Sequence, residues 1–203
     1  MRNRKPFPIL LIVIIIALIL LAAVAIIVVS RADLSRSKIP VLYQLPDFEL
    51  TDQSGQPFGL SRMLGKISIV DFIFTNCKGP CPIMASKMSE LYLLYKDYDH
   101  IQFVSISVDP ERDTLEALRE YAILQGVNDD RWVFLRGPLD DVVRLSEQGF
   151  KLAADVETLP MGHTIVWTLV DQDGRIRSYH NGTDDADIDV LKENIRRLNR
   201  EIR

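Results

Sequence analysis

Two cysteines carry the most reactive chemistry in this chain. They stand four apart in Thr75-Asn76-Cys77-Lys78-Gly79-Pro80-Cys81-Pro82. Thiolates are both nucleophiles and soft metal ligands, so such a pair either cycles through a disulfide or shares a metal ion. The loop lies where an apolar run ends and a helical pattern begins, the place in open α/β sheets where chemistry gathers. The first turn of a helix adds free N–H groups and a positive dipole end that favour thiolates. The spacing is Cys-x3-Cys, one residue wider than the Cys-x2-Cys of fast dithiol exchangers. The wider bite weakens the case for rapid exchange and strengthens the case for a metal. Two thiolates need a third ligand, and an imidazole completes a set suited to Cu(I), with Zn(II) also acceptable.

Three histidines are available. His100 falls in the polar turn Tyr98-Asp99-His100 and reads as a solvated loop residue. His180 ends the outgoing arm of a hairpin beside Asn181-Gly182 and reads as a surface residue. His163 follows Pro160-Met161-Gly162 and precedes a strand expected to lie beside the one that leads to the cysteines, so it is the candidate third ligand. Asp71 lies six residues before Cys77, inside an apolar strand. Two readings stand: a carboxylate paired or hydrogen-bonded at the strand edge, or a buried acid with a raised pKa that takes a proton from Cys81.

The positioning elements follow from periodicity. Ile67–Phe74 and Ile101–Val108 read as buried strands, Trp132–Leu135 as a third, and Thr164–Val170 with Arg175–His180 as a hairpin turning at Asp171-Gln172-Asp173-Gly174. Pro82–Tyr98, Thr114–Gln125, Leu139–Gly149 and Asp187–Ile202 read as helices, the second capped by Asp113 with Glu116 at the capping-box position. Pro46–Leu50 followed by Asp52–Gln56 suggests a short entry hairpin. Alternating strands and helices give an α/β fold with a largely parallel sheet, made mixed by the terminal hairpin, and helices on both faces.

The chain has 203 residues and a net charge of −4. Six basic residues and one acidic residue fall in positions 1–38, leaving residues 39–203 with 18 basic and 27 acidic side chains. An acidic body of this kind repels phosphate backbones, which argues against a nucleic-acid partner. Two cysteines cannot staple a miniprotein, and a body this long needs no stapling. Ile9–Val29 is unbroken aliphatic sequence. Its 21 residues, at about 1.5 Å each, span about 31 Å, matching a bilayer core of about 30 Å. The run continues past Ala23-Val24-Ala25, so an uncleaved anchor is expected over a signal peptide. Arg2, Arg4 and Lys5 place the N-terminus inside and the body on the extracytoplasmic side. With five residues before Pro6 there is no room for a transit peptide, which points to a bacterial plasma membrane. The expected organisation is a stub and anchor at 1–30, a linker at 31–45 and one domain at 46–203.

Several stretches resemble the Sco/SenC family, membrane-anchored copper proteins with a thioredoxin-like fold. They are Val70-Asp71-Phe72-Ile73-Phe74-Thr75-Asn76-Cys77 through Cys81-Pro82, Ser107-Val108-Asp109-Pro110-Glu111-Arg112-Asp113-Thr114, Trp132-Val133-Phe134-Leu135-Arg136-Gly137, and His163-Thr164 with the hairpin from Asp171. The resemblance covers nearly all of 46–200. It implies one copper per chain, Cu(I), Cu(II) or both, held by Cys77, Cys81 and His163. It also implies a partner: subunit II of cytochrome c oxidase, whose dinuclear copper site such proteins load or whose thiols they reduce. Family members often have Asp before the histidine, and here the residue is Gly162. The first stretch is also similar to thioredoxins, in which a buried acid at the position of Asp71 moves a proton to the dithiol. Two other functions remain open. A thiol–disulfide oxidoreductase would use Cys77 as nucleophile and Cys81 as resolving thiol, and a copper or redox sensor would signal through a membrane partner.

Overall fold

The computed structural model describes residues 9–36, 38–77, 79, 81–153 and 164–202. The chain forms two compact units, Met1–Lys38 and Ile39–Arg203. The first contains α1 (Ile9–Arg36), an unbroken helix of 28 residues. Its described side chains, residues 12–27, are all exposed and cover about 24 Å of helix. The 21-residue apolar run extends beyond them at both ends. Among the described residues no helix is long and apolar enough to cross a membrane.

The second unit runs β1 (Tyr43–Gln44), β2 (Glu49–Asp52), β3 (Pro57–Gly59), the single turn α2 (Leu60–Met63), β4 (Ile67–Ile73), α3 (Cys81–Leu94), β5 (Ile101–Ser107), α4 (Leu115–Leu124), β6 (Trp132–Arg136), α5 (Leu139–Arg144), β7 (Val166–Val170), β8 (Arg175–Asn181) and α6 (Asp185–Glu201). A π-helical turn, Leu145–Gly149, prolongs α5. The sheet order is β1-β8-β7-β4-β5-β6-β2-β3. Strands β4, β5 and β6 are parallel, and every other pairing is antiparallel. The sheet is mixed, as expected, though its parallel part is limited to these three strands. Among the described residues two pairings are parallel and five antiparallel, because the hairpins β2–β3 and β7–β8 and the edge strand β1 all join the sheet antiparallel.

Every residue of β4 and β5 is buried, as strands covered on both faces must be. Side-chain alternation splits the core in two. Ile67, Ile69 and Ile73 pack with Met84, Met88 and Leu91 of α3, Leu118 of α4 and Leu191 and Ile195 of α6. Val70, Phe72 and Phe74 pack on the other face with Met63, Phe150 and Cys81.

The stretch 31–45, read from sequence as a linker, gives its last part to this unit. Tyr43 and Gln44 pair with Ile176 and Arg175 as an edge strand, and Ile39 and Leu45 are buried. The buried Arg177 guanidinium donates to the carbonyls of Ile39 and Pro40 while pairing with Asp171 and Glu201. A guanidinium removed from water needs such a full set of acceptors, and here it fastens the chain's entry into the domain.

The cap of α4 also differs from expectation. Thr114 is the N-cap, its Oγ1 accepting from Ala117 N–H at 3.2 Å, while Asp113 turns inward. Thr114→Ala is expected to cost about 1 kcal/mol, lowering Tm by about 2–4 °C for a domain of this size. An unchanged melting curve would contradict the assignment.

Candidate metal centre

β4 delivers the chain to the site. Beyond Ile73, Phe74 is buried, and the Cys77 N–H donates to the Phe74 carbonyl at 3.3 Å, turning the loop. Cys77 is half-buried. The Gly79 N–H donates to its sulfur at 3.4 Å. Cys81 is the first residue of α3 and is 2% exposed. Both cysteines are in the thiol form. Burial pushes the Cys81 thiol above the ordinary thiol range, helped by a hydrogen bond and negative charge from Cys77. The charge of Asp71 is the least of the raising contributions.

Asp71 sits on the same face of β4 as Ile69 and Ile73, whereas Cys81 packs on the opposite face. It is buried rather than at a strand edge, and it is hydrogen-bonded to Ser105. Burial raises its carboxyl from 3.8 to about 7, partly countered by hydrogen bonds from Ser105 and from its own backbone. The Ser105 hydroxyl in turn accepts from Trp132 Nε1 at 3.0 Å. Asp71 Oδ1 has no hydrogen-bond partner among the described residues.

The histidines sort differently from expectation. His180 is not a surface residue: it is 3% exposed, with Nδ1 2.7 Å from Asp187 Oδ1 and Nε2 2.8 Å from Ser178 Oγ. Its pairing ties β8 to the start of α6. His100 is half-buried, and its Nε2 lies 2.6 Å from Asn199 Oδ1, so it too is bonded and not merely solvated. His163 lies outside the described residues. The chain resumes at Thr164 and enters β7, which pairs antiparallel with β4 (Val70 with Thr168, Ser68 with Val170). The start of β7 thus lies at the end of the sheet where the cysteine loop leaves β4. Gly182 keeps that end closed: its N–H donates to the Ile165 carbonyl, and a Cβ there would sit 2.6 Å from Trp167 Nε1. Among the described residues no three His, Cys, Asp or Glu side chains cluster as a metal site. The two described donors are soft and adjacent, which fits a thiophilic ion such as Cu(I) once a third ligand joins them.

Residues 42–200 match the SCO1/SenC family. The chain belongs to that family. The SCO1 protein homolog of Bacillus subtilis strain 168 is 28% identical to this Sco protein over 165 residues, covering 78% of this chain and 84% of the relative. BsSco, a member of the Sco family of cytochrome c oxidase assembly proteins in which a disulfide switch is described, superposes with a TM-score of 0.69 at 27% identity. That match covers 80% of this chain and 98% of the other. Copper-bound ScoI of Bradyrhizobium japonicum gives a TM-score of 0.59 at 26% identity, covering 75% and 98%. The mixed sheet with flanking helices is the thioredoxin-like Sco fold.

Near the dithiol of this Sco chain stand Thr75, Ser107 and Tyr121, which sequence reasoning did not single out. With them stands the Asp109–Asp113 segment, read from sequence as turn and cap chemistry, with a role in the wall of the site left open by its place after a parallel strand. Thr75 and Ser107 both bond to Asp113, which is wholly buried. The Tyr121 phenol on α4 is pushed upward by burial and then by the charges of Asp71, Cys81, Cys77 and Asp113. A partial signal for Asp113 was present, since it stands in the Val-Asp-Pro-x-Arg-Asp-Thr stretch, but helix-start rules assigned it to the cap.

Proposed function

We propose that this Sco protein is a membrane-anchored copper metallochaperone. It would hold one copper ion through Cys77, Cys81 and His163 and pass it to the dinuclear copper site in subunit II of cytochrome c oxidase. The observation that carries the reading is the pair of thiols at the carboxyl end of β4, one on the first residue of α3, with β7 starting alongside. Copper here is cargo. Ligand exchange needs an accessible donor and a sheltered one, and the half-buried Cys77 and buried Cys81 supply that asymmetry. In sequence His163 immediately precedes Thr164, which leads into β7 beside β4. The ScoI of Bradyrhizobium japonicum, solved with copper bound, supports the metal, and BsSco's membership of the oxidase assembly proteins supports the partner.

The anchor is α1, whose apolar run is long enough for one span, with Arg2, Arg4 and Lys5 on the cytoplasmic side and residues 39–203 outside a bacterial plasma membrane. The test mixes copper-loaded full-length chain in vesicles with the reduced, metal-free soluble domain of a subunit II. The expected result is copper on the acceptor and two thiols left on the chaperone. Copper that stays put would sink the reading.

A second reading is favoured by Asp71. In thiol–disulfide exchange the Cys77 thiolate attacks a partner disulfide, giving a mixed disulfide and releasing one partner thiolate. The Asp71 carboxylate then takes the Cys81 proton, and the new thiolate attacks Cys77 Sγ. This closes a Cys77–Cys81 disulfide and releases the second partner thiolate, so the partner is reduced and the chain oxidised. A carboxyl near 7 is matched to accept that proton at neutral pH. With the oxidised soluble domain as acceptor and the reduced, metal-free chain as donor, this reading predicts that the partner disulfide is lost and a Cys77–Cys81 disulfide is gained.

A further inference from the structure

The turn between β5 and α4 is wound tightly. Asp109 N–H donates to Ser107 Oγ at 3.1 Å, and Arg112 N–H and Asp113 N–H both donate to the Asp109 carbonyl. Winding the turn this way returns the Asp113 side chain toward the sheet, where it is 0% exposed. Its two oxygens then accept from three donors. Thr75 Oγ1 reaches Oδ1 at 2.6 Å, Thr75 N–H lies 3.3 Å from both oxygens, and Ser107 Oγ bonds to Oδ2. Ser107 is the last residue of β5 and faces Ile73, the last residue of β4. Thr75 is two residues before Cys77, in the loop itself.

The neighbouring charges are committed elsewhere. Arg112 pairs with Asp109 at 3.1 Å, and Arg136 donates to the Pro110 carbonyl at 2.7 Å. A buried carboxylate satisfied by hydrogen-bond donors instead of a cation has a fixed direction, because each donor constrains the oxygen it meets. A Thr backbone and hydroxyl gripped together cannot rotate independently, and Cys77 follows within one turn of chain.

We propose that Asp113 is a positioning residue for the cysteine ligands, acting through Thr75. It touches no metal and no sulfur. It sets where Cys77 Sγ stands relative to Cys81 by clamping the exit of β4 to the wound turn before α4. The inference rests on the copper reading only for its metal readout, and a second readout is independent of copper.

The test uses the full chain in its wild-type form and as Asp113→Ala, Asp113→Asn, Thr75→Val and Ser107→Ala. Anaerobic Cu(I) affinity and the rate of Cys77 alkylation by iodoacetamide in the reduced, metal-free protein are measured on each. Asp113→Ala and Thr75→Val are expected to weaken Cu(I) binding about 10–100-fold, the range found for groups that orient metal ligands. They are also expected to change the alkylation rate severalfold. Asp113→Asn keeps an acceptor for the Thr75 N–H and is expected to restore most of both losses. Ser107→Ala removes an anchor without freeing Thr75, so its affinity and rate stay near wild type even if its melting temperature falls. Wild-type affinity and alkylation in both Asp113→Ala and Thr75→Val would overturn the inference. So would losses in all variants that simply track melting temperature. If the wild type binds no copper, the chaperone reading fails, and the alkylation rates alone decide the role of Asp113.

Discussion

Cys81→Ser is expected to weaken Cu(I) binding by more than about 100-fold, beyond the 10–100-fold cost of disturbing groups that only orient ligands. A serine hydroxyl is a harder donor than a thiolate and stays protonated at neutral pH, so it cannot replace the sulfur toward a soft ion. Cys77→Ser should match it in affinity but not in stability, because Cys77 is half-buried and Cys81 lies wholly inside the apolar cluster with Phe72 and Phe74. Copper must also displace the Cys81 proton, which burial and Cys77 hold tightly. Affinity should therefore fall as pH drops, each thiolate formed releasing one proton. Competition titrations of both variants, beside wild type at pH 6 and pH 8, check this. Copper affinity in Cys81→Ser within tenfold of wild type would remove the cysteine pair from the account.

Asp71→Asn is expected to stabilise the protein at pH 8 and to do so much less at pH 5. The carboxyl moves from an ordinary 3.8 to about 7 on folding because burial penalises its charge. Between about pH 4 and pH 7 the native state therefore holds a proton that the unfolded chain has released, and stability falls as pH rises through that window, levelling above it. The displacement corresponds to roughly 4 kcal/mol in full. Asparagine carries no charge to bury, so the difference between variant and wild type should grow by a few kcal/mol across the window. Denaturant unfolding of residues 39–203 at pH 5 and pH 8 reads this directly. A difference that does not change with pH would show that the carboxyl titrates normally. If Asp71 also serves exchange, the variant should lose dithiol exchange while keeping copper, a separation that the stability measurement alone would not show.

Much of this was readable from the chain. β4 and β5 announced themselves because strands buried on both faces are rich in β-branched and aromatic residues with few charges, and Asp71 stood out as the one carboxylate inside them. The hairpin at Asp171–Gly174 was legible from turn chemistry, since the Asp171 side chain accepts from the N–H groups of Asp173 and Arg175. Features set by distant partners were hidden. β1 has two residues and forms only because β8 offers it an edge. His180 looked exposed because it sits beside Asn181-Gly182, and it is α6, arriving with Asp187, that covers it. Asp113 satisfied every rule for a helix cap, yet Thr114 took that role and freed the carboxylate for a loop 38 residues away. The cysteine spacing and the metal class it suits were visible locally, whereas the network holding the loop is entirely nonlocal.

The central claim is a site of two cysteines and one histidine. It is tested most directly by anaerobic Cu(I) competition titration of the fully reduced chain beside His163→Ala. One copper bound tightly per chain, weakened at least about tenfold by loss of the imidazole (about 1.4 kcal/mol), is the result the account predicts. Binding that is weak, or that is the same with and without His163, would contradict it and leave dithiol exchange as the function of the cysteine pair.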